Sequence, residues 1–486
     1  MPLHQVRADD TGTQVAETGL ALLLVAGCLI AVWAVSLTHP SSAGSVAVWG
    51  GTFAVAVAAV AAAVMKGHHA GWFHPLSLPL GAVAVMSLGA PLWVYVTHEP
   101  AGLLFDPGHA PANALPLAAA VSVTACEALA LTLVGYLAGA AAALAVTPEL
   151  APIKGELVCR YGALRRTGFT LMACAALTEA ALAIAGRGSA YGTNQTSYGA
   201  GAAAAAAVPL TLFAGLILVT VAAPHYGKPR RARDLLRGRE WTALAVYNIA
   251  TAAGGGRAGL IAPAVYLAWA VSTQVRVIPA RWVLTAIAVA LAAAAAIAGW
   301  RTGDSLSPGS PAAIARAAAG AVYSPAWLTQ QTVARVPSQQ PYLHGSTYVA
   351  ALEGQLPGPL ARVTGADSRT ASARFRDLID FTNPDEGFAE SYTSEAYLNF
   401  GLPGCAAAGV LLGAVVGWAW RRCRRVPAST RDVLYPVLLA GLAYGLRSDA
   451  LTQVKDVLYP MLAVWLVTSW CQARHATLAL RPGHLR

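Results

Sequence analysis

The sequence predicts an all-α polytopic membrane protein of about twelve transmembrane helices with one large extracytoplasmic loop or cap. Three observations predict it. Hydrophobic residues make up 56% of the 486 positions and charged residues only 12%, about half the charged share of a soluble domain. The apolar residues fall in blocks near twenty residues, the length a helix needs to cross roughly 30 Å of hydrocarbon. The connections between blocks alternate between rich and poor in Lys and Arg, as the positive-inside rule requires. A formal net charge of +10 would point to nucleic acid in a soluble chain. Here the charge sorts by loop, so no nucleic-acid partner is expected and the bilayer is.

The first block, near 19–38, is too long for a signal-peptide core and reads as a retained first span. Further spans fall near 44–65, 75–97, 114–146, 167–186 and 202–223. Next comes 241–273, which is either one span with GGGR inside it or two short ones. A single span would reverse everything downstream and put RRCRR, 421–425, on the wrong side. A hairpin of spans near 241–256 and 258–273, turning at Gly254-Gly255-Gly256-Arg257, keeps the charge rule intact. Spans near 282–300, 402–420, 432–446 and 457–471 complete the set.

The basic connections carry Lys154 to Arg166, KPRRARDLLRGRE at 228–240, Arg276 with Arg281, and RRCRR. All fall on the side of both termini, which the rule makes cytoplasmic, in a multi-pass plasma-membrane protein. The chain thus divides into a bundle of about nine spans (1–300), an outer segment (301–395) and a bundle of about three spans (396–486). The outer segment has seven arginines and nine acids, with mixed helical patterning such as ASARFRDLIDF, and reads as a compact cap. The seven cysteines show neither metal spacing nor a CxxC pair. Neither a P-loop nor a dinucleotide fingerprint is present, so no cofactor and no metal are expected.

Several residues carry two readings. Arg257, at the tip of two short spans, either meets an anion in a recessed cavity or snorkels to headgroups. Arg447 sits between two further short spans, and either repeats that arrangement or pairs with Asp449. Glu395 and Asn399 are four apart, and Tyr392 lies three before Glu395, so a short helix puts them on one face. Gly401 and Pro403 then break that helix. Glu395 is either a reactive acid at the membrane mouth or a helix-start charge. His344, between Tyr342 and Tyr348, is a base, a sugar ligand or a plain surface histidine. Glu127 and Glu179 lie within spans, where a carboxylate serves transport or simply bonds a neighbouring helix.

The stretch TSEAYLNFGLPG, following FTNPDEGFAESY, resembles the signature of bacterial oligosaccharide repeat-unit polymerases of the Wzy type, which read EAYxNFGxxG where the large outer loop enters a late span. NIATAAGGGRAGLIAPAVYLAW (248–269) is similar to the family's glycine-arginine hairpin. TVARVPSQQPYLHGSTYVAALEGQLPG (332–358) is similar to its loop stretch, and RSDALTQVKD (447–456) to its late outer arginine loop. The resemblance spans roughly residues 240–460. It implies a glycosyltransferase that joins undecaprenyl-pyrophosphate-linked oligosaccharides into O-antigen, capsule or exopolysaccharide, in company with a chain-length regulator. Arg257 and Arg447 would then face the leaving pyrophosphate, because guanidinium donates two hydrogen bonds to phosphate at once. Glu395 would receive the proton of the attacking hydroxyl, with His344 second, and Tyr348, Tyr392 and Asn399 would hold sugar rings. A ligase of similar architecture and a lipid-linked oligosaccharide flippase are the rival expectations.

Overall fold

The computed structural model describes residues 73–76, 123–146, 161–185, 200–227, 229–253, 258–276, 278–279, 282, 285, 289, 326–353, 371–379, 390–423, 433–445 and 448–479. The spans expected at 19–38 and 44–65, nearly all of those at 75–97 and 282–300, and both Arg257 and Arg447 lie outside the described residues. The described residues form helices and no strand. Among the described residues, four helices are long and apolar enough to cross a membrane: Glu127–Val146, Tyr161–Ile184, Ala207–Tyr226 and Tyr392–Arg422. A shorter apolar helix covers Leu260–Gln274.

In chain order the helices are α1 (Val123–Val146), α2 (Tyr161–Ile184), α3 (Ala200–Ala222), α4 (Gly238–Ala253) and α5 (Ala258–Gln274). Then come α6 (326–335), α7 (Ser346–Glu353), α8 (Ala371–Leu378), α9 (Tyr392–Cys423), α10 (Leu434–Gly445) and α11 (Ala450–Ala479). Helix α11 begins seven residues earlier than the span expected at 457–471, so most of the stretch read as a recessed loop is helix. Asp449 explains the early start. Its Oδ1 accepts the backbone N–H of Thr452 at 3.1 Å and the Thr452 hydroxyl at 2.8 Å, the arrangement that caps a helix N-terminus.

Helices α1 and α9 lie side by side and parallel. Gly135 faces Ala406 and Val410, Gly139 faces Val410 and Ala414, and Gly417 faces Ala140 and Ala143. The glycines set the spacing. A Cβ on Gly139 would stand 2.0 Å from the Val410 carbonyl oxygen, and one on Gly413 2.0 Å from that of Tyr136. Small residues let helix backbones approach this closely where lipid supplies no hydrophobic drive. At one end of the seam the Arg421 guanidinium donates to the Leu144 carbonyl. At the other, Ala128 packs with Ala396, Tyr397, Leu398 and Cys405.

Contacts show that 241–273 is not one continuous helix. Helix α4 starts beside the start of α2, where Arg165 binds Glu240, and runs along it until Thr251 reaches Glu179. Helix α3 runs antiparallel to α2, with Gly215 against Gly168 and the His225 ring stacked on Tyr161. Tyr266 of α5 then shares a 2.7 Å hydrogen bond with Thr220, close to the end where α4 set out. Fifteen residues of further ascent beyond Thr251 would have carried Tyr266 away from that end. So α4 and α5 are two helices that run in opposite directions. Helix α5 packs on α10, and α10 on α11.

Candidate functional site

The site grows from a break in one helix. Gly401 has φ 67° and ψ −153°, backbone angles open to glycine and costly for other residues. A Cβ there would also stand 2.9 Å from the Tyr342 hydroxyl. The break at Gly401 ends the first stretch of α9 after two turns and leaves its last carbonyls without intrahelical donors. The turn at 343–345 supplies them. Leu343 N–H donates to Leu398 O at 3.1 Å and His344 N–H to Asn399 O at 3.0 Å. His344 (φ 49°) and Gly345 (φ 91°) both take left-handed angles to present those groups. The sequence reading placed a helix break at Gly401 and Pro403; the break is at Gly401, and helix resumes through Pro403.

Glu395 lies beneath this turn, 1% exposed. Its Oε1 accepts the Thr347 hydroxyl at 2.8 Å and its Oε2 the Ala450 backbone N–H at 2.7 Å. That N–H is one of the donors the start of α11 leaves over, and a helix N-terminus favours a carboxylate. Three distant stretches of chain (344–348, 395–399 and 449–450) therefore meet at one acid. Glu390 and Asp449, also buried, lie within its electrostatic reach. Burial, above all, drives the Glu390 carboxyl well above its ordinary range, and its two acidic neighbours push the same way. The Ser394 hydroxyl and the Ser391 backbone pull it back in part. Among the described residues no cluster of His, Cys, Asp and Glu has the geometry to hold a metal ion.

Hydroxyls join the surrounding helices. Thr332 on α6 meets Ser394 at 2.6 Å and Thr329 meets Ser391 at 3.2 Å. Ser372 on α8 donates to Asp449 Oδ2 at 2.9 Å and accepts the Glu390 N–H at 3.3 Å. These pairs tie α6 and α8, both from the long polar segment, onto the start of α9 and α11.

Of the residues named from the sequence, the structure gathers Glu395, Asn399, Tyr392, Tyr348 and His344 at this end of α9. Asn399 is fully buried. Its Oδ1 accepts Gly345 N–H at 2.9 Å, and its Nδ2 donates to Thr347 Oγ1 at 2.7 Å and to Glu395 O at 2.8 Å. Tyr392 is nearly buried and donates to Ala408 O at 2.8 Å. Tyr348 is half-buried, its ring stacked on Phe400, while His344 is exposed on the turn. Arg257 and Arg447 are outside the described residues. Glu179 faces Thr251 and Tyr247 on the neighbouring α4, and Glu127 lies near Tyr397.

Thr347, Glu390 and Ser372 went unnoticed in the sequence, and Asp449 was read only as a partner for Arg447. A threonine between His344 and Tyr348 carries no pattern of its own. Its one signal is position, inside a stretch already singled out. Arg165 was counted as a loop charge, yet it is buried. Its guanidinium binds Glu240 through two bonds of 2.9 and 2.7 Å and lies over the Tyr226 ring. No protein-family model, no curated protein and no solved structure matches this chain.

Proposed function

We propose that the chain is a membrane glycosyltransferase that polymerises undecaprenyl-pyrophosphate-linked oligosaccharide repeat units on the outer face of the plasma membrane. In this reading the end of the molecule holding Glu395 is extracytoplasmic. About twelve spans cross the bilayer, residues 301–395 form an outer cap, and both termini are cytoplasmic. One observation carries the reading: Glu395, Thr347 and Ala450, drawn from three stretches that separately resemble the polymerase family, converge on a single buried carboxylate.

The chemistry balances as follows. A hydroxyl of the terminal sugar on the new lipid-linked unit attacks the anomeric carbon of the growing chain. The new C–O bond forms as the bond to the lipid pyrophosphate breaks, and the pyrophosphate leaves with the electron pair. Glu395 takes the hydroxyl proton. Arg257 and Arg447 are the cations assigned to the charge gathering on the leaving group. Burial around Glu395 keeps out water, which would otherwise compete with the sugar hydroxyl. Tyr348, Phe400 and His344, at the rim, are accessible to sugar rings.

Deleting the gene and analysing lipid-linked glycans tests the reading. Single lipid-linked repeats should accumulate without long chains. Normal long polymer in the deletion strain would sink the proposal. Long lipid-linked polymer that fails to reach its acceptor would identify a ligase. Repeats trapped on the cytoplasmic face would identify a flippase.

A further inference from the structure

We infer that Thr347 and Asn399 are positioning residues that lock the Glu395 carboxylate in one orientation through a one-way chain of hydrogen bonds from the His344 turn. The inference rests on the reading of Glu395 as the proton acceptor of a glycosyl transfer, and goes beyond it by assigning the residues that aim it.

The direction of the chain follows from counting protons. A backbone N–H only donates, so the Asn399 atom facing Gly345 N–H at 2.9 Å must be its oxygen. The amide nitrogen of Asn399 therefore points the other way, to Thr347 Oγ1 at 2.7 Å and Glu395 O at 2.8 Å. Thr347 has one hydroxyl proton. Its oxygen already receives the Asn399 amide, so that proton goes to Glu395 Oε1 at 2.8 Å. Gly345, Asn399 and Thr347 form one line of donors, each oriented toward the Glu395 carboxylate that accepts at its end. Such chains polarise one another and strengthen each bond.

The second carboxylate oxygen is fixed independently by Ala450 N–H at 2.7 Å. A glutamate side chain has three rotatable bonds, and holding both oxygens removes that freedom before substrate arrives. A reacting group held in its attack geometry accelerates the step itself. Asn399 is fully buried and its donors and acceptor are engaged inside the protein. The same residue accepts His344 N–H on its carbonyl at 3.0 Å. The exposed turn and the buried acid are thus the two ends of one network, and the turn's left-handed backbone is the geometry that feeds it.

The test uses the purified full chain in bilayers with lipid-linked single repeats. Thr347→Val keeps the shape and removes the donor. It should lower kcat about tenfold to a hundredfold, the weight of a hydrogen bond to a charged group, with KM within about twofold. Thr347→Ser should recover most of that loss. Asn399→Asp still accepts from Gly345 but no longer donates to Thr347, and should behave like Thr347→Val. It carries the same test if the valine variant does not fold. A folded Thr347→Val or Asn399→Asp chain with wild-type kcat overturns the inference.

Infrared difference spectra separate this inference from the function proposal. The carboxyl band of Glu395 is assigned by subtracting Glu395→Gln from wild type. It should shift in Thr347→Val and return in Thr347→Ser, whether or not the protein elongates repeats. An unmoved band overturns the inference; wild-type protein that elongates nothing overturns only the function proposal.

Discussion

Two buried glutamates in this molecule are stabilised in opposite ways. Glu240 is fully enclosed and meets the Arg165 guanidinium through two short bonds, with the Arg237 N–H adding a third at 2.6 Å. Glu395 is as deeply enclosed, yet among the described residues its carboxylate is held by a threonine hydroxyl and a backbone N–H. The first arrangement neutralises the acid with a full charge, and the bidentate geometry commits both oxygens to one guanidinium, with the Arg237 N–H as a further donor to Oε2. The second orients the acid with neutral dipoles and leaves each oxygen a further lone pair. A carboxylate locked to arginine ties helices together, whereas one held by neutral dipoles can also accept a proton. Residue type and burial are the same in both cases, so the partners decide the role.

The comparison can be broken from either side. Glu240→Gln should have the largest effect on stability, about 3–5 kcal/mol, because it leaves the Arg165 charge buried without its counter-ion. Chemical denaturation or surviving folded protein after heating would read it. A change below about 1 kcal/mol would mean that water reaches this ion pair and screens it. Glu395→Gln should cost less, about 1–3 kcal/mol, since one neutral donor loses its acceptor and no charge is stranded. Equal losses from the two variants would erase the distinction drawn above.

The smallest effect concerns Glu390 and depends on pH. Its raised carboxyl keeps a proton in the folded protein that the unfolded chain gives up. Stability from this group is full below the unfolded pKa and is lost as pH rises through the folded one. The thermal midpoint of the wild type should therefore fall as pH rises from mildly acidic values, and Glu390→Gln should flatten that fall. Parallel pH profiles for the two proteins would show that Glu390 stays charged in the fold.

Much of this was legible in the sequence where one physical rule acted alone. Apolar blocks long enough to span hydrocarbon announced helices, and the described α1, α2, α3 and α9 are helices of that length. The decision to split 241–273 came from charge and agrees with Tyr266 returning to Thr220. The face shared by Tyr392, Glu395 and Asn399 followed from helical spacing. What stayed hidden depends on residues far apart in the chain. Nothing local marks Thr347 as the donor to an acid 48 residues later, or Ala450 as a donor 55 residues after it. The glycine seam was missed because Gly135, Gly139, Gly409 and Gly413 look like ordinary tolerance in a small-residue span until the two helices are set side by side. Arg165 was misread because charge counting cannot tell an arginine facing water from one turned toward Glu240.

The claim that Glu395 is a proton acceptor in glycosyl transfer is tested most directly by elongation kinetics. Purified wild-type protein and Glu395→Gln, compared per mole of folded chain, are supplied with lipid-linked single repeats in bilayers. The wild type should build long polymer without any other acceptor, and the variant should be slower by about a hundredfold to ten-thousandfold, the range for loss of a general base. Polymer made by folded Glu395→Gln at the wild-type rate would contradict the account.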